Sequence, residues 1–415
     1  MDIQLLPALN GDCILVEHAP GHYFLIDGGY VDTYKKYLSP KLRAIAAEGG
    51  VIDVLVVTHI DEDHISGINK MMDGHLPIPV GEIWYNGYRH IQSNAPVSEE
   101  RERVIHHEIL KEAEPDPPPM MMPCSVRQGC SLSMMINMQE IPWNVPAQGG
   151  AMKAPMSYRV GESMVHFLSP NQDDIASLEN FWRQSLVKDN LLERAHSEEY
   201  WDDAFEFGMS KHEQGFREHV PASNMDMMRK EMIIVSQVEE ALSKPYEPDS
   251  SAPNGSSISF VLESGNTRVL FLGDAHSETV VESLQALYGA ENKPYHFDAV
   301  KLAHHGSFHN NSPKLLDLIT SDKWLVSTNG YKFEHPELPT LAHIVSRCKD
   351  SKLYFNYDLK VCDVLRKDIA RGKYGYEVIT PESGAGIGIE VGEKEDGADT
   401  VVPECKDGTD KPQNQ

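Results

Sequence analysis

The sequence predicts a layered α/β (α+β) fold that is interrupted by a helical segment. Five short apolar runs are typical of buried strands, and each is followed by residues with carboxylate, imidazole or amide side chains. Residues 172–245 instead place apolar and aromatic residues at helical spacing. Because layered α/β sheets bind ligands at the carboxyl ends of their strands, we expect these polar residues to meet at one site.

The second of the five runs, residues 54–57, leads into the most informative segment, residues 58–67. This segment places four potential metal ligands within six positions: His59, Asp61, Asp63 and His64. Imidazole and carboxylate groups are ligands for zinc, manganese and iron ions. A polar helix cap is the alternative interpretation, but a cap needs one such residue rather than four. The segment therefore predicts half of a metal site.

The other four runs supply partners for this segment. The run 24–29 carries Asp27, the run 269–274 ends at Asp274, and the run 324–329 ends at Asn329, with His335 following in the next loop. The run 299–307 ends in His304, His305, Gly306 and Ser307. We expect these strand ends to converge on residues 58–67.

The ordered motifs resemble the metallo-β-lactamase superfamily, and within it the hydrolase domain of bacterial competence (ComEC-like) proteins. The resemblance rests on residues 10–12, 26–29, 58–67, 254–257, 273–274, 304–307 and 335–336. It implies a four-layer αββα metallo-β-lactamase sandwich, here with a helical insertion and without the membrane channel of the competence proteins.

The resemblance also implies a site with two divalent metal ions, zinc or manganese, that hold a hydroxide between them. By this resemblance, His59 and Asp61 would bind the first ion, and Asp63 and His64 would bind the second. Asp274 would bridge the two ions, and one of His304 and His305 would also bind the second ion. Asp27 would orient a ligand, and Asp63 would also take part in catalysis. His335 would act as a proton donor or phosphate contact, unless it is an ordinary loop histidine, and Asn329 and Ser307 would contact the substrate.

Two departures from the family pattern affect the metal. Asp61 replaces the middle histidine of the loop, and the additional oxygen donor favours harder ions such as Mn²⁺. Many superfamily members have a third ligand of the first ion on a middle strand. Here only His166 is available for that role, and its alternation with apolar residues is equally typical of an ordinary strand residue.

These patterns divide the chain into four parts. Residues 1–170 form the first half of the sandwich, with an irregular elaboration over 84–160, and residues 251–392 form the second half. Residues 171–250 are a helical insertion that is either a lid or docking surface, or an extension of the core. Residues 393–415 are a disordered acidic tail.

Composition narrows the class of protein. The six cysteines include no Cys-x-x-Cys pair, which argues against a disulfide framework. No apolar run is long enough for a transmembrane helix, and the first residues lack the pattern of a signal peptide, so we expect a cytoplasmic protein that does not bind membranes.

The charge of the chain restricts its substrates. It carries 63 acidic and 37 basic residues, a net charge of −26. Binding long nucleic acid would need either a basic partner protein or a local basic track, for which the candidates are Lys301, Lys332, Arg347, Lys349 and Lys352. A small phosphodiester needs neither.

Three functions remain open at this point. The first is a metal-dependent phosphodiesterase that acts on nucleic acid or on a small nucleotide. The second is a lactonase or glyoxalase-like hydrolase of carboxylic or thioester bonds. The third is a non-catalytic metal-binding subunit, with residues 172–245 as the surface for a protein partner. Membership of a larger, defence-type assembly is an analogy drawn from related proteins.

Overall fold

The structure, a computed structural model, describes residues 1–91, 132–188, 235–289, 291–331, 334–366, 372–382, 384 and 386–392. Its strands in chain order are β1 Asp2–Leu5, β2 Ile14–Ala19, β3 His22–Ile26, β4 Val51–Val56, β5 Val80–Trp84, β6 Met156–Val160, β7 Ser163–Ser169, β8 Ser259–Ser264, β9 Thr267–Phe271, β10 Tyr295–Phe297, β11 Ala299–Lys301, β12 Ile319–Ser321, β13 Lys323–Val326, β14 Lys352–Phe355, β15 Glu377–Ile379 and β16 Ile387–Glu390.

The α-helices within these ranges are α1 Val31–Thr33, α2 Ser39–Ala47, α3 Glu62–Met72, α4 Tyr88–Ile91, α5 Leu132–Met138, α6 Gln172–Lys188, α7 Val235–Leu242, α8 Ala252–Gly255, α9 Ser277–Tyr288, α10 Pro313–Leu318, α11 Leu338–Arg347 and α12 Lys360–Leu365. A π-helical turn, Tyr34–Leu38, joins α1 to α2.

Two mixed sheets form the centre of the molecule. One has the strand order β16-β1-β2-β3-β4-β5 and the other β15-β14-β13-β11-β9-β8-β7-β6, while β10 and β12 pair separately. The strands β3, β4 and β5 are parallel to one another, as are β9, β11, β13, β14 and β15. Each sheet therefore presents several carboxyl strand ends along one edge.

The side chains of successive strand residues alternate between two apolar layers. In β9, Val269 and Phe271 face the other sheet, whereas Leu270 faces the helices. In β3, Phe24 and Ile26 likewise lie between the sheets, and Leu25 lies under the helices on the opposite side. This period of two buries both faces of each sheet.

Helices cover the outer face of each sheet. The helices α2, α3 and α6 contribute to the apolar cluster on the first sheet, and α9, α10 and α11 to the cluster on the second. The layers therefore run helix, sheet, sheet, helix, which confirms the expected αββα fold.

The described ends of the helical segment 171–250 are α6 and α7. Ile175, Leu178 and Trp182 of α6 are buried in the cluster on the first sheet, and Trp182 stacks on Tyr88 of α4. The helix α7 packs on α11. Residues 189–234 of this segment, most of the elaboration over 84–160 (residues 92–131) and the tail 393–415 lie outside the described residues. Among the helices described, none combines the length and apolar composition that crossing a membrane requires.

Candidate metal centre

The loop after β4 places Asp61 at the N-terminus of α3, but the side chain of Asp61 does not cap the helix. Asp61 precedes Glu62, the first helical residue, and its backbone is extended, as is typical of an N-cap. Its side chain makes no capping hydrogen bond. Instead Oδ2 lies 3.7 Å from Nε2 of His59, and Oδ1 has no hydrogen-bond partner. The carboxylate is therefore directed at the site rather than at the helix.

Two glycines allow α3 to lie directly against the end of β3. A Cβ atom on Gly67 would collide with the carbonyl oxygen of Gly28, and one on Gly28 would lie 2.6 Å from the backbone nitrogen of Ile68. The close approach is fixed by hydrogen bonds from Gly28 N to His64 O and from Gly67 N to Gly29 O, 2.8 and 2.7 Å long. This contact places His64 beside Asp27.

Asp27 is a buried carboxylate that contacts the nitrogen of His64 facing away from the site. Nδ1 of His64 lies 2.8 Å from Oδ2 of Asp27. The backbone nitrogen and the hydroxyl of Thr58 also donate to Asp27, at 2.8 and 2.7 Å. An ionised carboxylate only accepts hydrogen bonds, so in the neutral ring Nδ1 carries the proton and Nε2 presents a lone pair.

His59 is oriented by the same side chains. The Thr58 hydroxyl gives its one proton to Asp27, so its oxygen accepts from Nδ1 of His59 at 3.0 Å. Nε2 of His59 is left as an acceptor inside the site, buried and without a hydrogen-bond partner.

His304 and His305 lie in a tight turn after β11. Both have left-handed backbone conformations, with φ of 43° and 57°, which are uncommon for residues other than glycine. Asn311 spans the turn, because it accepts from Ala303 N at 3.1 Å and donates to the carbonyl oxygens of Ala303 and Ser307, both at 2.7 Å. The strain of the turn is therefore offset by buried hydrogen bonds.

Four imidazoles converge on the carboxylate of Asp274. The distances from Oδ2 of Asp274 to Nε2 are 3.8 Å for His59, 3.5 Å for His64, 3.7 Å for His304 and 3.8 Å for His305. Two ligand atoms on one tetrahedral zinc ion lie about 3.4 Å apart, since each Zn–N bond is about 2.0–2.1 Å. The observed spacings are close to this value.

The residues fit a divalent cation. Three compact groups of buried ligand atoms share His64: one with His59 and Asp274, one with Asp63 and His305, and one with Asp12 and Asp27. Nε2 of His59, His64 and His305 has no hydrogen-bond partner, and neither does Oδ1 of Asp274. Nδ1 of His305 is 2.8 Å from the carbonyl oxygen of Ser327, so its Nε2 is also a lone pair. Such a set of buried acceptors is costly unless a cation binds there.

Electrostatics favour a cation as well. Burial would lower the pKa of His64, but the carboxylates of Asp274 and Asp27 outweigh burial and hold that pKa well above its ordinary value. Burial and His64 would lower the pKa of His59, but Asp61 and Asp274 outweigh both and raise it. Burial would raise the pKa of Asp274, yet the imidazoles of His64, His304 and His305 hold it well below its ordinary value.

The remaining predicted site residues differ in position. Asp63 accepts a hydrogen bond from Nδ2 of Asn10, and its Oδ2 lies 3.8 Å from Nε2 of His305. His335 has its ring centroid 5.2 Å from that of His304. Burial, together with His304 and His305, holds the pKa of His335 well below its ordinary value, so this ring is neutral at pH 7.

The two predicted substrate contacts lie near the site. The backbone nitrogen of Asn329 donates to the carbonyl oxygen of Leu9 at 2.7 Å, and this bond joins the two loops that carry Asn329 and Asn10. Ser307 is buried, and its hydroxyl lies 3.5 Å from Oε1 of Glu337. Their substrate roles stay predictions.

Lys301 does not belong to an exposed basic track, so that expectation is wrong. Its side chain is 1% exposed, and Nζ donates to Oδ2 of Asp12 at 2.7 Å and to Leu302 O at 3.0 Å. Of the other candidates for the track, Arg347 pairs with Asp317, Lys349 and Lys352 are exposed, and Lys332 lies outside the described residues.

Sequence reasoning missed several residues that shape the site. Asp12 belongs to a quoted motif, but no role was assigned to it, and its Oδ1 lies 3.6 Å from Nδ1 of His305. Ser257 accepts a hydrogen bond from the backbone nitrogen of Asp274 at 2.9 Å. Asn310 and Asn311 stand five and six residues after His305, and this proximity is the only signal that the sequence offers.

Comparison of the sequence with known protein families gives one match. Residues 6–104 match the family model of the metallo-β-lactamase superfamily, which supports that assignment. None of the curated proteins compared with the chain is significantly similar in sequence.

Two solved structures are similar to the chain at low identity. One is the metallo-β-lactamase fold protein YhfI from Bacillus subtilis, at 10% identity and a TM-score of 0.34, over 94% of this chain and 99% of that one. The other is a mutant of the β-hydroxylase CmlA, at 11% identity and a TM-score of 0.36, over 91% of this chain and 52% of that one.

Proposed function

We propose that the protein is a phosphodiesterase that uses two divalent metal ions. The observation that carries this proposal is the carboxylate of Asp61, which adds an oxygen donor to those of Asp63 and Asp274. The side chain of Asp61 does not cap α3 and instead faces His59. Asp63 and Asp274 both face His305. Carboxylate-rich sites favour hard ions such as Mn²⁺, which suit phosphoryl oxygens.

Residues of the chain would bind these ions, orient the ligands and hold protons beside them. Asp27 and Thr58 keep the tautomers of His64 and His59 that present Nε2. When bound, a pair of divalent ions polarises a phosphoryl oxygen and lowers the pKa of water. The neutral ring of His335 can accept a proton or donate a hydrogen bond beside His304.

A small phosphodiester fits the observations better than long nucleic acid. Lys301 is buried against Asp12, and Arg347 is paired with Asp317, so neither offers a free positive charge to a phosphate backbone. A small substrate needs only the metal site and its immediate surroundings.

Metal analysis combined with a substrate panel tests the proposal. Asp274→Ala and His64→Ala each remove a ligand, so we expect both variants to lose metal. Hydrolysis of bis(p-nitrophenyl) phosphate and cyclic nucleotides should fall by more than about 100-fold, because residues that merely orient ligands already contribute about 10–100-fold. His166→Ala is the matched control and should retain metal and activity.

Two outcomes would contradict the proposal. Full metal content and activity in the Asp274→Ala variant would exclude the site. Hydrolysis of lactones or thioesters without cleavage of any phosphodiester would support the carboxylic hydrolase instead.

The preference for hard ions has its own test. Asp61→His restores the histidine of the family pattern, and the softer nitrogen donor should increase zinc affinity relative to manganese. Competition titrations of the two ions measure this ratio. An unchanged ratio would mean that Asp61 does not bind the metal.

A further inference from the structure

The proposed site of the first metal ion lacks the ligand that many superfamily members supply from a histidine on a middle strand. His166, on β7, is directed away from the cluster: its Nδ1 lies 2.7 Å from the hydroxyl of Ser157, and its Nε2 lies 3.5 Å from Glu263. It points to the same face of the sheet as Leu168, which packs under the helices. In the family pattern His64 belongs to the second ion, so His59 and Asp61 would need another partner besides Asp274.

We propose that His304 is this third ligand and that Asp249, acting through Asn310, holds it in place. The inference rests on the proposed two-ion site. His305 already belongs to the compact group of Asp63 and His64, so it serves the second ion. His304 lies outside all three compact groups, yet its Nε2 is 3.7 Å from Oδ2 of Asp274.

The turn after β11 separates the two neighbouring rings. Two consecutive left-handed residues leave the rings of His304 and His305 inclined at 70°, with centroids 5.6 Å apart. Nε2 of each ring nevertheless reaches the same oxygen of Asp274, at 3.7 and 3.8 Å. A carboxylate within this distance of both rings would be available to both ions.

The shorter of two contacts of Nδ1 of His304 indicates which ring nitrogen is the acceptor: Asn310 lies 2.9 Å away, and Nδ2 of Asn254 lies 3.4 Å away. Nδ2 of Asn310 donates to Oδ2 of Asp249 at 2.9 Å and to the carbonyl oxygen of Asp274 at 3.0 Å, and both partners can only accept. The other amide atom of Asn310, facing Nδ1 of His304 at 2.9 Å, is therefore the oxygen. Nδ1 must carry the proton, and Nε2 turns a lone pair toward Asp274.

Asp249 belongs to an arm, residues 244–249, that leads from α7 back to the sheet. Hydrogen bonds join the arm to the loop that carries His304. The backbone nitrogen of Asp249 and the hydroxyl of Tyr246 both donate to the carbonyl oxygen of His309, at 3.1 and 2.9 Å, and Nδ1 of His309 donates to Glu247 O at 2.7 Å. Asp249 also accepts from Nδ2 of Asn254 at 2.7 Å. The arm therefore positions His304 from outside the metal site.

Metal binding without substrate tests the proposal. We would measure Zn²⁺ stoichiometry by elemental analysis and Co²⁺ coordination by absorption spectroscopy in wild type, His304→Ala, Asp249→Asn and the control His166→Ala. We expect two ions in wild type and in the control, and one in His304→Ala, with added imidazole restoring the second. In Asp249→Asn, the affinity for one ion should fall by about 10–100-fold while the other is retained.

The outcomes separate this proposal from the proposed function. If His304→Ala retains two ions with unchanged Co²⁺ spectra, His304 is not a ligand and the proposal is wrong, whatever its activity. Loss of an ion in His166→Ala would also overturn it. If the metal results are as expected but no phosphodiester is cleaved, the ligand assignment stands and the proposed activity fails. Because His304 is 22% exposed, its replacement leaves the core intact, and Asp249→Asn supplies a second variant remote from the ions.

Discussion

At the scale of single residues, each imidazole of the site is controlled by the nitrogen that faces away from it. Asp27, Thr58 and a backbone carbonyl oxygen bind Nδ1 of His64, His59 and His305, respectively. Each ring thereby directs Nε2 into one shared volume, where this nitrogen is a lone pair once the ring is neutral. This arrangement lowers the conformational cost of binding a cation, because the ligands are oriented before it arrives.

Proton release on metal binding follows from the pKa values of His59 and His64. Both are raised in the metal-free protein, because nearby carboxylates outweigh burial. Protonation therefore stabilises the metal-free fold, fully below the ordinary pKa and less as pH rises through the raised pKa. A metal ion needs neutral imidazoles, so binding near pH 7 should release protons, and affinity should fall as pH decreases.

Calorimetry in two buffers of different ionisation enthalpy measures this release. His166→Gln is the control, since His166 lies outside the cluster and should leave the number of released protons unchanged. Metal binding with no proton exchange between pH 6 and pH 8 would show that the imidazoles are already neutral in the metal-free protein.

The ligand-type residues of the site could be predicted from the sequence, but the residues that hold them in position could not. The ligand-type residues of 59–64 stand together, whereas Asp249 is 61 residues from its hydrogen-bond partner Asn310, and no local pattern connects the two. For Lys301 the signal existed and was misread. It stands between Val300 and Leu302 on a strand buried on both faces, so a buried ion pair was the better expectation.

At the scale of elements, the strands could be predicted because both sheets are covered on both faces, which makes their strands continuous apolar runs. The strand β4 ends at Val56, just before the site loop, and β9 ends at Phe271, just before Gly273 and Asp274. The role of the segment 171–250 could not be predicted, because helical spacing alone does not say what its apolar face covers.

The close contact of α3 with β3 gives a prediction about Gly67. Gly67→Ala introduces a Cβ that collides with the carbonyl oxygen of Gly28, so the helix must move away from the strand end. We expect a loss of about 1–3 kcal/mol in the free energy of unfolding, together with weaker metal binding, because α3 carries Asp63 and His64. Denaturant titration and metal titration measure the two effects.

Gly388 provides the comparison for this variant. A Cβ at Gly388 meets no atom within 4 Å, so Gly388→Ala should change neither stability nor metal binding appreciably. Normal metal affinity in Gly67→Ala would mean that the site tolerates displacement of α3.

A second prediction at this scale concerns α6. Trp182 is 1% exposed and lies in the apolar cluster on the first sheet. Trp182→Ala should therefore lower the free energy of unfolding by about 3–5 kcal/mol, as for a core tryptophan. Met138→Ala, at a side chain that is 72% exposed, should change it by less than about 0.5 kcal/mol.

The size of the Trp182 effect distinguishes two roles for α6. A small effect would mean that α6 is a detachable cover rather than part of the core. The use of residues 172–245 as a partner surface stays a prediction under either result.

At the scale of the whole molecule, the charge of the chain favours a small phosphodiester over long nucleic acid as the substrate. Many basic side chains in the described ranges are already beside acidic ones, as in the pairs Lys36 with Asp32, Lys70 with Asp73, Lys244 with Glu337, Lys373 with Glu239 and Arg366 with Asp358. With a net charge of −26, the chain repels a polyanion at long range.

Salt dependence tests this preference. A protein that contacts 6–10 phosphates of DNA loses about 10³–10⁵ in affinity between 50 and 200 mM salt, because counterions are released on binding. A small phosphodiester has one charge and reaches only the metal centre. We therefore expect its kcat/KM to change less than about threefold over this salt range, and double-stranded DNA to bind no more tightly than about 10⁻⁴ M at physiological salt. Steady-state kinetics and fluorescence anisotropy measure the two quantities. Tight DNA binding with a steep salt dependence would overturn the small-substrate proposal, and would require a basic surface formed by residues other than Lys301 and Arg347.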